Sequence, residues 1–244
     1  MKIRDLISLG HDALDVAAAF LGKKRLELYM YLEEEVPDGL INRLRAGEPS
    51  AYIIGYVDFF GARIGVDRRV LIPRPETEEL MTLIKNPKGR VLDLCCGSGA
   101  IGISLKKKYP ALDVTLADVS SDALDVAKQN ALDNQVDVHF VQSDFLESVK
   151  ETFDIILCNP PYVTESEWEE IATKEHEPRL AFVGGLDFYH KLRKQAASFL
   201  NEKGLLYLEI GASQGADVLA LFAPYSRSLM KDLAGRDRFL LVFY

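Results

Sequence analysis

The chain has 244 residues, 48% of them hydrophobic and 27% charged, and carries a formal net charge of −8. That length and balance describe a globular protein, one large domain or a medium domain with a small companion, and the acidic surface argues against broad binding to a phosphate backbone, which requires a basic one. No run approaches the roughly 18 apolar residues of a membrane span.

The N-terminal stretch MKIRDLISLGHDAL carries acids and lacks a continuous apolar core, so no signal peptide is expected. Three cysteines (Cys95, Cys96, Cys158) show no CxxC spacing and four histidines show no ligand spacing. Neither disulfides nor a metal site are expected, and a reducing cytoplasm is the natural location.

Residues 1–46 read as helical. LISLGHDALDVAAAFLG and KRLELYMYLEEEV carry apolar residues at three- and four-residue spacing, and GLINRLRAG adds a short third piece. The period then changes. AYIIGYVDFFGARIGVDRRVLI is rich in β-branched and aromatic residues, and Gly61 between two extended runs predicts a hairpin. Pro73 and Pro75 mark a boundary before ETEELMTLI opens a helix.

From residue 90 strands and helices alternate. RVLDL, DVTLAD, VDVHFVQSD, FDIILCN, GLLYLEI, SRSLMKDLA and RFLLVFY read as strands. SGAIGISLKKKY, SSDALDVAKQNALDN, GLDFYHKLRKQAASFL and SQGADVLALF read as the helices among them. Short apolar strands separated by amphipathic helices predict an α/β fold with a doubly wound, seven-stranded, mostly parallel sheet covered on both faces. The expected division is a helical domain over 1–50, a β-hairpin linker over 51–72 and the main domain over 73–244.

In such a sheet, ligands bind beyond the carboxyl ends of the strands, near the switch in strand order. After the first strand of the main domain comes DLCCGSGAIG, with Asp93, Gly97 and Gly99 at a turn that lets a ligand approach the backbone. After the second comes Asp118, placed to accept hydrogen bonds from a ribose diol or to cap the next helix. After the third come Asp144 and Phe145, available to the edge and face of an adenine. The nucleotide is either a dinucleotide or S-adenosylmethionine; CCGSGAIG lacks the first glycine of the dinucleotide register. The acid-and-glycine turn resembles that of the class I S-adenosylmethionine-dependent methyltransferases, which implies that Asp93, Cys95, Cys96, Gly97, Ser98 and Gly99 receive the methionine part of that cofactor. S-adenosylhomocysteine is then the product.

The fourth strand ends on DIILCNPPYVTES. Two prolines cannot continue a ladder and they fix their own φ angles, while Asn159 before a proline is pushed to an extended conformation. The segment holds one carboxamide and one aromatic ring in place. Asn-Pro-Pro-Tyr resembles the methyltransferases that act on a planar, conjugated –NH₂: adenine N6, guanine N2 or the glutamine side-chain amide. With RAGEPSAYIIGYVDFFG, VLIPRPETEEL, VLDLCCGSGAIGISL, HEPRLAFVGGLDFY, LYLEIGASQG and KDLAGRDR in order, the chain resembles the family of release-factor glutamine methyltransferases.

That resemblance implies methyl transfer to the N5 amide nitrogen of glutamine in the GGQ motif of class 1 peptide chain release factors. In it Asn159, Pro160, Pro161 and Tyr162 form the substrate site. The Asn159 oxygen, which also borders the cofactor, and the Pro160 carbonyl accept the two amide N–H bonds, and the Tyr162 ring covers the flat amide. Two departures stand out. Cys95 occupies the family's first glycine of the turn, and it is expected there as a small, inert side chain with ordinary φ, since no nearby cation lowers its pKa. The N-terminal helical region, implied to dock the release factor, is shorter than usual. The alternatives are glutamine methylation of a ribosomal protein, amino-group methylation of a nucleic acid, and a silent scaffold. The acidic charge and the lack of an added target-recognition region count against nucleic acid, with which no direct contact is expected.

Overall fold

The computed structural model describes all residues, Met1–Tyr244. Its N-terminal part holds helices α1 (Ile3–Leu6), α2 (His11–Leu21), α3 (Asp38–Arg45) and α4 (Ser50–Ile54), with short 3₁₀ turns at Ile7–Leu9 and Arg25–Met30. The hairpin follows as β1 (Tyr56–Phe59) and β2 (Ala62–Gly65). Then come α5 (Pro75–Leu83), β3 (Arg90–Leu94), α6 (Ala100–Lys108), β4 (Asp113–Asp118), α7 (Ser121–Asp133), β5 (His139–Gln142) and β6 (Phe153–Cys158). The chain closes with α8 (Glu165–Trp168), α9 (Asp187–Phe199), β7 (Leu200–Glu209), α10 (Gly215–Leu221), β8 (Ser226–Lys231) and β9 (Asp237–Phe243).

Two N-terminal expectations fail for identifiable reasons. Residues 31–36 are not helical. The Ile3 N–H donates to the Glu34 carbonyl, and the Val36 N–H donates to the Met1 carbonyl. Lys2 and Glu35 form an antiparallel bridge, so pairing with the chain start overrides the local helical spacing. Residues 51–54, read as the start of the hairpin, belong instead to helix α4, which ends where Gly55 turns left-handed at φ 88°.

β3 to β9 form one seven-stranded sheet of order β5-β4-β3-β6-β7-β9-β8, in which β9 alone runs antiparallel to the other six strands. The order reverses between β3 and β6, where Leu94 and Cys158 pair side by side. The crevice beyond those two ends is where a ligand belongs in this topology. Alternation sends Val91, Ile155 and Leu157 to the face covered by α5, α6 and α7, and sends Leu92, Ile156 and Leu206 to the face covered by α9 and α10. The same parity sends Asp93, Asn159 and Glu209 toward the first face.

The hairpin docks on that first face. Phe59 and Ile64 join its core. The Ser104 hydroxyl donates to the Phe59 carbonyl at 3.1 Å, and the Asn130 amide both accepts from the Gly65 N–H at 2.7 Å and donates to the Gly65 carbonyl at 3.0 Å. Residues 1–41 pack a separate cluster around Ile3, Leu6, Ala17, Leu28 and Ile41. No helix is long and apolar enough to cross a membrane.

Candidate active site

A cavity of about 410 Å³ opens at the reversal of strand order. Of the residues expected there, Cys95, Cys96, Gly97, Ser98, Asp118, Asp144, Phe145, Asn159 and Pro161 line it, while Asp93, Gly99, Pro160 and Tyr162 do not. Asp93 is fully buried beneath the turn because strand alternation turns it toward α6. One of its oxygens accepts the Gly102 N–H at 2.8 Å and the other has no hydrogen-bond partner. Burial pushes its carboxyl up to about 7. Asp93 thus braces the turn from below.

Asp118 serves the turn from the other side. One carboxylate oxygen accepts the Gly97 N–H at 2.8 Å and the other accepts the Ser120 N–H at 3.0 Å. Burial raises its carboxyl above the ordinary range against those two N–H groups, which pull it down. The cap of α7 is the Ser120 hydroxyl, which accepts the Ala123 N–H, so Asp118 is not the helix cap. Its position in the cavity wall leaves its unused lone pairs to a ligand.

Cys95 departs from expectation. Its φ is 60°, in the left-handed region that costs a side-chain-bearing residue roughly 1–2 kcal/mol. The chain must leave β3 and bring the Cys96 N–H to the Ala117 carbonyl at 3.0 Å, and a left-handed residue makes that turn. Phe145 is likewise left-handed at φ 56°, and its ring stands edge-on to Phe188 with centroids 4.9 Å apart. Two strained residues on one cavity wall mark a backbone shaped for a ligand. The Cys96 and Cys158 thiols are pushed well up by burial, which keeps both protonated and inert.

Beside the cavity stands a buried polar chain that joins Asn159 and Tyr162 through Thr77 and Glu209, to which the sequence assigns no role. The Asn159 amide donates to the Thr77 hydroxyl at 3.2 Å, and that hydroxyl donates to Glu209 at 2.7 Å. The other Glu209 oxygen accepts from the Tyr162 hydroxyl at 3.3 Å. Arg238 lies 3.5 Å from the same hydroxyl and donates to the Ile210 carbonyl at 3.0 Å. Glu209 is 1% exposed, and burial pushes its carboxyl up to about 7.

Residues 163–184, for which the sequence predicts no element, fold back over this corner. The Val163 N–H donates to the Phe182 carbonyl at 2.7 Å, and buried Glu177 accepts from the Ile72 N–H at 3.1 Å and from Arg74 at 2.6 Å. Both Arg74 and Thr77 line the cavity. The quoted stretches VLIPRPETEEL and HEPRLAFVGG held these residues, but their partners are too distant in sequence to be paired by pattern.

Gly184 sits against the Asn-Pro-Pro-Tyr loop so closely that a Cβ there would meet the Pro161 carbonyl oxygen at 2.2 Å. Gly184→Ala must therefore push Pro161 outward. It is expected to lower kcat about tenfold to a hundredfold through displacement of the loop, with the fold retained. Steady-state turnover beside a thermal melt checks this; a wild-type kcat in the folded variant contradicts it.

The chain matches a family model described as "Methyltransferase small domain" over residues 76–176. It is 36% identical to a release factor glutamine methyltransferase of Streptococcus pneumoniae over 98% of this chain and 94% of that one. With the Lactococcus lactis protein of the same name it shares 42% identity over 82% of this chain and 79% of that one. Among solved structures, a methyltransferase from Pyrococcus furiosus superposes with a TM-score of 0.59 at 20% identity, over 84% of this chain and 94% of that one, a likeness of fold.

Proposed function

The chain belongs to the release factor glutamine methyltransferase family, and from that premise we propose that it methylates the side-chain amide nitrogen of the GGQ glutamine in class 1 peptide chain release factors. S-adenosylmethionine is the methyl donor in this reading. The observation that carries it is Asn159: its –NH₂ is tied back to Thr77, so its side-chain oxygen is left as an acceptor at the cavity wall.

The chemistry follows from the substrate. An amide nitrogen is a poor nucleophile because its lone pair is delocalised into the carbonyl, and no side chain takes its proton at neutral pH. The protein's contribution is alignment and electrostatics. The Asn159 oxygen at the cavity wall and, in this reading, the carbonyl of the adjoining Pro160, which lies outside the cavity lining, accept the two N–H bonds of the incoming amide and direct its lone pair toward the methyl donor. Those acceptors gain strength as positive charge develops on nitrogen, which is differential stabilisation of the transition state. Tyr162, its hydroxyl occupied by Glu209, contributes its ring rather than its proton.

The residues present suit the cofactor. Asp118 offers lone pairs to a ribose diol, Phe145 a ring at the adenine end, and the left-handed turn of Cys95 and Gly97 a backbone open to close approach. When bound, S-adenosylmethionine supplies an electrophilic methyl on a sulfonium. A protein substrate that works at the ribosome makes the cytoplasm the compartment.

Incubation with labelled S-adenosylmethionine and release factor, ribosomes or DNA separates this reading from its alternatives. Label in the release factor supports it, and label only in ribosomal protein or nucleic acid overturns it. The same assay tests a division of labour in which residues 1–50 dock the release factor and 73–244 hold the cofactor. Deleting 1–50 is expected to leave cofactor affinity unchanged while cutting methylation of intact factor about tenfold or more, the scale of losing one protein contact patch. Wild-type methylation by the truncated chain contradicts it.

A further inference from the structure

We infer that Glu209 and Thr77 form a proton-ordered relay that sets which end of the Asn159 carboxamide faces the substrate, making both of them positioning residues for methyl transfer. The inference rests on the reading that the Asn159 oxygen receives the substrate amide.

The direction of the chain follows from donor counting. An ionised carboxylate only accepts, so at Glu209 both bonds, from Thr77 at 2.7 Å and from Tyr162 at 3.3 Å, run toward it. Thr77 has one proton and gives it to Glu209. Its oxygen then serves as the acceptor for the Asn159 –NH₂ at 3.2 Å. The carboxamide has no choice left: its amino end is bound inward and its oxygen faces the cavity.

Protonation of Glu209 removes that constraint. A carboxylic acid can donate to the Thr77 oxygen, and Thr77 then turns its own proton toward Asn159. The carboxamide satisfies that donor by flipping, which presents –NH₂ to the substrate amide, a donor where an acceptor is needed. The groups that face Glu209 set where this occurs. Arg238 on β9 favours the ionised form, while Glu76 on α5 opposes it. Tyr162 and Thr77 donate to it, and the Tyr189 hydroxyl on α9 donates to its main-chain carbonyl at 3.0 Å. Burial outweighs the favourable partners and pushes the carboxyl up to about 7. The working form is the ionised one, so kcat falls as pH drops through that value.

Single-turnover methyl transfer between about pH 5.5 and 8.5 tests this, with cofactor affinity measured alongside. The wild type is expected to lose rate on the acid side while cofactor affinity holds. Glu209→Gln, whose amide can donate to Thr77 at every pH, is expected to lose about tenfold to a hundredfold in rate and to lose the acid limb. Thr77→Val is expected to lose a similar factor, and Thr77→Ser, which keeps the hydroxyl, to restore it. If Glu209→Gln does not fold, the Thr77 pair still decides. A flat wild-type profile, or wild-type rates in Thr77→Val, overturns the relay. Loss of transfer in Asn159→Ala with full rate in Thr77→Val refutes the relay alone, whereas full rate in Asn159→Ala refutes the reading beneath it.

Discussion

Asn159→Ala is expected to lower kcat/KM for release factor by about a hundredfold or more, the usual scale for losing one group positioned at a transition state. Asn159 follows directly on β6, beside the point where strand order reverses, and Pro160 and Pro161 immobilise it. The substitution removes the acceptor and leaves Thr77 without the donor it now receives at 3.2 Å. Thr77 sits at the cavity wall, where water can replace that donor, so the fold is expected to survive. The loss should fall mainly on kcat, because the bond to the amide strengthens as charge develops on nitrogen. Transient kinetics with saturating cofactor checks it. A folded variant with a near wild-type rate removes Asn159 from the chemistry.

Asp118→Ala should weaken S-adenosylmethionine about tenfold to a hundredfold, since a charged acceptor contributes about 1.5–3 kcal/mol. The structure adds a second source of that loss. Asp118 also holds the Gly97 N–H at 2.8 Å, so the alanine variant frees the turn as well as losing a ligand contact. Titration calorimetry on the folded variant measures the effect, and unchanged affinity takes Asp118 out of the site.

The main sheet was legible because its signals are local. RVLDL and DVTLAD match β3 and β4 residue for residue, since runs of branched apolar residues bounded by polar turns leave little freedom in register. The cavity lining was half legible. Strand ends and glycine turns pointed to Gly97, Asp118 and Asn159, but strand parity put Asp93 underneath rather than in the wall. Cys95 departs from the expected ordinary φ because a backbone turn, set by the need of the Cys96 N–H to reach the Ala117 carbonyl, decides it, and side-chain chemistry says nothing about it. Glu209 and Thr77 were out of reach because they lie 132 residues apart and meet only once the sheet is assembled. The non-helical course of residues 31–36 has the same cause, a pairing with the chain start that no periodicity announces.

Mapping the methyl group by fragmentation of the modified release factor tests the proposed reaction most directly. The expected result is a single methyl on the side-chain amide nitrogen of the GGQ glutamine, absent when that glutamine is replaced by alanine. A methyl group on any other residue, or continued transfer to the alanine-substituted factor, contradicts the account.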